Sequence, residues 1–137
     1  MANVLTPKAR EVLVKFGTIA RTDTTAKELF GIPKGAYIVG VYVIGAAVSN
    51  AGTSAVIGIG STTSANEYMA SYDVKTAATG EGYNPAGAAA VGSAFATALT
   101  ADTAVYGKYT ESGTASSSGG DWTIKVEYCM TGPGESL

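Results

Sequence analysis

Histidine is absent from this 137-residue sequence. That removes the side chain most used for proton transfer near neutral pH and the commonest zinc ligand. A Ser-His-Asp or Cys-His arrangement fails on residue type alone. Cysteine is nearly absent as well: the one copy, Cys129, has no partner within the chain for a disulfide. It lies in an apolar strand pattern, where a core thiol is expected, whereas a reactive thiol needs an exposed, electropositive setting. Charged residues make up 15% of the chain, against about a quarter in an average globular protein. Long hydrophobic runs are missing too. The longest, Tyr37 to Val48, falls short of the roughly 20 residues a membrane helix needs. The opening "MANVLTPKAR" has no apolar core of leader-peptide length. A soluble protein made in a cytoplasm, with no membrane partner, is the expectation.

Nucleotide and metal motifs are also missing. There is no Walker lysine loop, and Gly58-Ile59-Gly60 is a dinucleotide fingerprint without its third glycine, better explained as strand glycines. No calcium loop of the D-x-D-x-D-G type occurs. The carboxylates Glu67, Asp73, Glu81, Asp102, Glu111, Asp121 and Glu127 fall mostly at turns or on polar strand faces, where they serve as caps and solvated surface. A glycosidase-like pair among them is not expected. Eight tyrosines and one tryptophan offer material for a sugar site, but Trp122, Tyr128 and Tyr42 fall on core-like faces. No catalytic residue, cofactor or metal is expected.

What remains is a small-residue chain with 18 glycines, long enough to bury a core without metals or disulfides. "EVLVKFGTIA" (11–20) alternates, with Val12, Val14 and Phe16 on one face and Leu13, Lys15 and Ile19 on the other, and reads as a strand. Thr25 and Glu28 have capping-box spacing, and Gly31 and Pro33 would end a helix, which predicts one helical turn at about 25–30. Residues 36–48 read as a long strand, Val41 and Val43 facing one way and Tyr42, Ile44 and Val48 the other. A strand apolar on both faces is central, with helices or a second protein over its outer face. "AVIGIGST" (55–62) is the returning strand. Ser64 and Glu67 repeat the capping spacing and predict a short helix with Tyr68, Met69 and Tyr72 inward. Residues 75–101 read as irregular structure with a strand near 94–99. A helix from Pro85, carrying Val91, Phe95 and Leu99, is opposed by Gly87 and Gly92. Residues 103–112 are a strand and 113–121 a loop. "WTIKVEYCM" (122–130) is the clearest strand, with Trp122, Ile124, Val126, Tyr128 and Met130 toward a core. The predicted fold is mainly β: an antiparallel β-sandwich, jelly-roll-like, with one or two helical turns. The predicted organisation is an extended arm over 1–10, one domain over 11–130 and a loose tail over 131–137.

Charge is uneven. Residues 1–34 hold six cations against three carboxylates, a net of +3; residues 35–137 hold three against eight, a net of −5; together they make the overall −2. This is either scatter or a basic leading third suited to an acidic surface. The cations are too dispersed, and lack interleaved aromatics, for nucleic acid. Between Gly35 and Asn66 there is no charge at all. That much low-polarity chain predicts a homo-oligomer, a dimer or trimer.

The stretches "ELFGIPKGAYIVGVYV", "AVIGIGSTTSANEYMASYDV" and "TADTAVYG…GGDWTIKVEY" resemble small structural proteins of tailed bacteriophages that decorate or cement the capsid. They cover roughly residues 28–74 and 100–128. The resemblance implies a β-sandwich made in the host cytoplasm and placed on the capsid exterior of the virion. It implies oligomeric attachment to the major capsid protein, and no catalysis. Lys8, Arg10, Tyr42 and Ile44 are the candidate partner contacts under that reading. A host-recognition or fibre module of the same kind of virion is the alternative, and would show an exposed aromatic cluster.

Overall fold

The computed structural model describes residues 11–45, 47–76 and 97–130 in full and residues 80–83 through their backbone. Among them the chain forms eight strands: β1 Leu13–Ile19, β2 Lys27–Ile32, β3 Tyr37–Gly45, β4 Ser54–Gly60, β5 Met69–Asp73, β6 Gly80–Tyr83, β7 Thr103–Ser112 and β8 Trp122–Cys129. They make two four-stranded sheets, ordered β1-β8-β3-β6 (sheet A) and β2-β7-β4-β5 (sheet B), and every pair is antiparallel. First pairs with last, second with seventh, third with sixth and fourth with fifth. That is one long hairpin rolled into two layers, the jelly-roll order expected from the turn signals.

The core lies between the sheets and follows the alternation of each strand. Sheet A contributes Ile19, Ile38, Val41, Val43, Trp122, Ile124 and Val126; sheet B contributes Ile32, Ile57, Ile59, Val105 and Tyr109. Trp122 and Tyr109 stack across the gap, with ring centroids 5.6 Å apart and planes 12° off parallel, which adds an aromatic pair contact to the area buried. Cys129 is buried, the core thiol expected of it, although the alternation of β8 alone would place it on the polar face with Lys125 and Glu127.

Several expectations are corrected. The turn of helix at 25–30 is instead the start of β2, with Lys27 opposite Gly107 and Glu28 opposite Tyr106. A register shift between Glu28 and Phe30 lets both Leu29 and Phe30 pack against the core. One isolated helical turn fixes many dihedrals for few hydrogen bonds, and the ladder to β7 supplies more. The second capping-box pair also makes no helix. The Glu67 carboxylate folds back to accept from the Ser61 and Asn66 amides (3.1 and 3.2 Å) and from the Thr62 hydroxyl. Ala65 sits at φ 51°, which breaks any helix there. Tyr68 and Met69 are buried as expected, while Tyr72, on β5, is half-buried. No helix occurs among the described residues. In the first strand the face Val12, Val14 and Phe16 is the exposed one. Met130 is 46% exposed rather than core, because β8 ends on two successive buried residues, Tyr128 and Cys129. The strand expected near 94–99 lies mostly outside the described residues; 97–100 form no strand.

Links β1–β2, β3–β4 and β7–β8 meet at one end of the sandwich and are tied together. The Asn50 carboxamide accepts from the Ser117 and Ser118 amides, at 2.8 and 3.0 Å. Buried Ser49 bonds the Tyr109 hydroxyl at 2.7 Å, which donates to Glu111, also at 2.7 Å. Glu111 accepts from the Ser116 amide at 3.2 Å, and Arg21 donates to the Ser116 carbonyl at 2.9 Å. Lys75, beyond β5, reaches the Ala51 carbonyl at 2.5 Å.

This wiring shifts titrations. Bonds from Ser116 and Tyr109, helped by the Arg21 charge, hold the Glu111 carboxyl below its ordinary 4.5. Bonds from Thr76 and Lys75 hold Asp73 below 3.8. Burial pushes Glu67 up, but the bonds from Thr62, Asn66 and its own backbone outweigh it, and the net shift is down from 4.5. A carboxyl with a lowered folded pKa adds stability above its unfolded pKa and loses it as pH falls through the folded value. The thermal midpoint is therefore expected to hold level down to about pH 5 and to fall below about pH 4. Glu111→Gln should flatten that acid limb; melts across the acid range, followed by near-ultraviolet circular dichroism, check both.

Candidate functional site

The outer face of sheet A is set by the same alternation that fills the core. On β8, Thr123, Lys125 and Glu127 point away from the buried residues. The ladder places Phe16 opposite Lys125, and Lys125 opposite Tyr42, so the three form one row across β1, β8 and β3. The row on one side is Val14, Glu127 and Gly40; on the other it is Thr18, Thr123 and Ile44. Lys125 lies over the Tyr42 ring with its ammonium 4.1 Å from the centroid and pairs with Glu127 at 3.4 Å. Gly40 makes this possible. A Cβ there would lie 2.8 Å from the Tyr42 ring, so only glycine lets the ring lie flat on the sheet. The cation is thereby held against an aromatic face and a carboxylate.

Around this row the face is apolar and open. Phe16 is 61% exposed, Val12 50%, Val14 40% and Val39 38%. Single exposed apolar residues are ordinary, but here several lie on one sheet face beside half-buried Tyr42 and Ile44, the kind of patch that can serve as a contact surface. Val39 reaches it through a register shift between Ile38 and Gly40.

At the end of the sandwich opposite the tied loops is an open cleft of about 390 Å³, lined by Lys15, Gly31, Ile32, Pro33, Asp102 and Tyr128. The Asp102 carboxylate is used there by the Lys34 amide, at 2.9 Å. No group of acidic, cysteine or histidine side chains able to hold a metal ion occurs among the described residues. No described helix is long and apolar enough to cross a membrane.

Of the residues singled out from sequence, Tyr42 and Ile44 lie together on the outer face of sheet A, which corrects the core-like place read for Tyr42. Lys8 and Arg10 lie outside the described residues. Phe16, Val14 and Lys125 were missed. Phe16 and Val14 belong to a strand with apolar residues on both alternating faces, and Lys125 gains its place only from the strand opposite.

A jelly-roll sandwich with an open apolar sheet face is thus the class of protein that the geometry defines. Searches of protein-family models and of curated proteins return no match. Two solved structures contain similar chains. One is the cyanophage Pam1 capsid asymmetric unit, with TM-score 0.59 and 17% identity over 94% of this chain and 91% of that one. The other is the acid-stable capsid of the Helicobacter pylori bacteriophage KHP30, with TM-score 0.57 and 14% identity over 86% of each chain. At such identities the likeness is one of fold, and it runs nearly the full length of both partners.

Proposed function

We propose that this protein is a virion structural component. It binds the outside of a phage capsid, reinforces the lattice of the major capsid protein as a homo-oligomer, and catalyses nothing. The observation that carries this reading is the outer face of sheet A. It presents area and shape, with Phe16, Val14, Tyr42 and Ile44 around a restrained Lys125, and no catalytic cluster among the described residues. The likeness in fold, over 86–94% of this chain, to chains in two phage capsid structures supports the setting. Decoration gains from repetition, since many modest contacts on a lattice act together. In this reading residues 1–10 form an arm, and Lys8 and Arg10 are its first contacts with an acidic capsid surface.

The test is occupancy of stripped capsids by the full chain, by a chain lacking residues 2–10, and by Phe16→Glu, at low and high salt. Deletion and salt should each lower occupancy, because exposed charge pairs are screened over about 10 Å at 0.1 M. Phe16→Glu should lower it at both salt concentrations. If neither variant changes occupancy at either concentration, the reading fails.

A further inference from the structure

The outer edge of β1 carries no strand among the described residues. Among the described residues β1 ends sheet A and pairs only with β8, so one side of its backbone has no ladder partner there. The second half of that edge is already occupied. Leu29 packs against Gly17, and Lys27 donates its ammonium to the Thr18 carbonyl at 3.1 Å. The first half, from Glu11 to Phe16, has no such cover among the described residues, and its side chains are mostly exposed. Exposed apolar edges are usually guarded by a charge, and here the guard would be Lys15.

We propose that a second copy of this chain pairs with it there, antiparallel, across a two-fold axis at Leu13. The charges select this register. Centred on Lys15, the pairing would set that lysine against itself. Centred on Val14, it would place Lys15 opposite Leu13 and Glu11 opposite Gly17. Centred on Phe16, it would need the half of the edge that Leu29 and Lys27 occupy. Centred on Leu13, it sets Glu11 opposite Lys15 of the second copy, twice by symmetry, and Val12 opposite Val14, also twice. No described residue forms an ion pair with Glu11 or Lys15. The guard against random edge pairing thus becomes the feature that admits one register. The two copies of sheet A then join into one eight-stranded sheet, with both outer faces on the same side.

This inference specifies the self-association within the decoration reading, but it needs no capsid. The two therefore fail separately. The full-length protein is studied by sedimentation over a concentration series, where a dimer is expected. Lys15→Glu or Glu11→Lys alone should weaken it about tenfold, by turning two attractive cross-strand pairs into repulsive ones, and the double exchange should restore it. Leu13→Cys should give a covalent dimer on oxidation, because directly opposed residues lie within disulfide reach. Phe16→Cys should not, although it is more exposed, because the two copies of that residue would be six positions apart, about 20 Å. Cys129 is buried, so the wild-type chain supplies the background. A monomer, a trimer, a dimer indifferent to charge reversal, or equal cross-linking through Phe16→Cys overturns the proposal. A monomer does so whether residues 1–10 or another protein covers the edge.

Discussion

Ile124→Ala is expected to cost about 2–5 kcal/mol of folding stability, the range for removing a large buried aliphatic side chain without collapse of the cavity. Ile124 is fully buried at the middle of β8, between Gly17 on β1 and Val43 on β3 in the ladder. Its side chain points into the space shared with sheet B. Sheet A is ordered β1-β8-β3-β6, so β8 has a strand on each side and little freedom to shift toward a void. Met130→Ala, one residue beyond the same strand at 46% exposure, should change stability by less than about 0.5 kcal/mol. Urea titrations of the two variants make the comparison. The expected result is a lower midpoint with an unchanged slope for Ile124→Ala alone. An unmoved midpoint would contradict the register of β8.

Gly119→Val should be of similar size, although it lies in a surface link. Gly119 has φ 112°, a conformation that side chains rarely adopt, and a Cβ there would lie 2.5 Å from the Val48 carbonyl oxygen and 2.6 Å from the Ser49 Cα. Both atoms are backbone and cannot turn aside. Backbone strain of about 1–3 kcal/mol adds to overpacking of about 1–3 kcal/mol. Relief requires the β7–β8 link to lift from the β3–β4 link, which would break the Asn50 bonds to Ser117 and Ser118. Hydrogen exchange should therefore show lost protection at Ser117 and Ser118 together. A thermal midpoint equal to wild type would mean that the link is not docked as described.

These two sites mark how far the sequence could be read. Trp122, Ile124, Val126 and Tyr128 repeat every second residue, and a half-buried strand leaves that trace directly. The central place of β3 was legible because Tyr37–Gly45 has no polar alternation. Jelly-roll order followed only as an expectation from the number of strands and turns. The local signals that misled were real but served other ends. The Glu67 side chain does bond backbone amides, yet in a turn. Thr25 and Glu28 have cap spacing, but the ladder of β2 to β7 decides the conformation. "GTASSSGGD" reads as slack chain, and nothing local says that Asn50, some 67 residues away, holds it. On the outer face, Tyr42 and Ile44 were found from β3 alone. Phe16 was hidden because β1 carries apolar residues on both faces, with Lys15 on the one that turns inward, and period two cannot say which side is core. Lys125 was hidden because its ring partner belongs to another strand.

The pairing of Leu13 with Tyr128 has a mechanical consequence. The chain enters sheet A beside the point where it leaves. Tension applied between residues 11 and 130 would act across the β1–β8 ladder at one end and open it rung by rung, as a zipper opens. Load spread over the outer face of sheet A reaches all its strands together and must shear many bonds at once. By this geometry the fold is expected to resist load across the face of sheet A better than tension at its two ends.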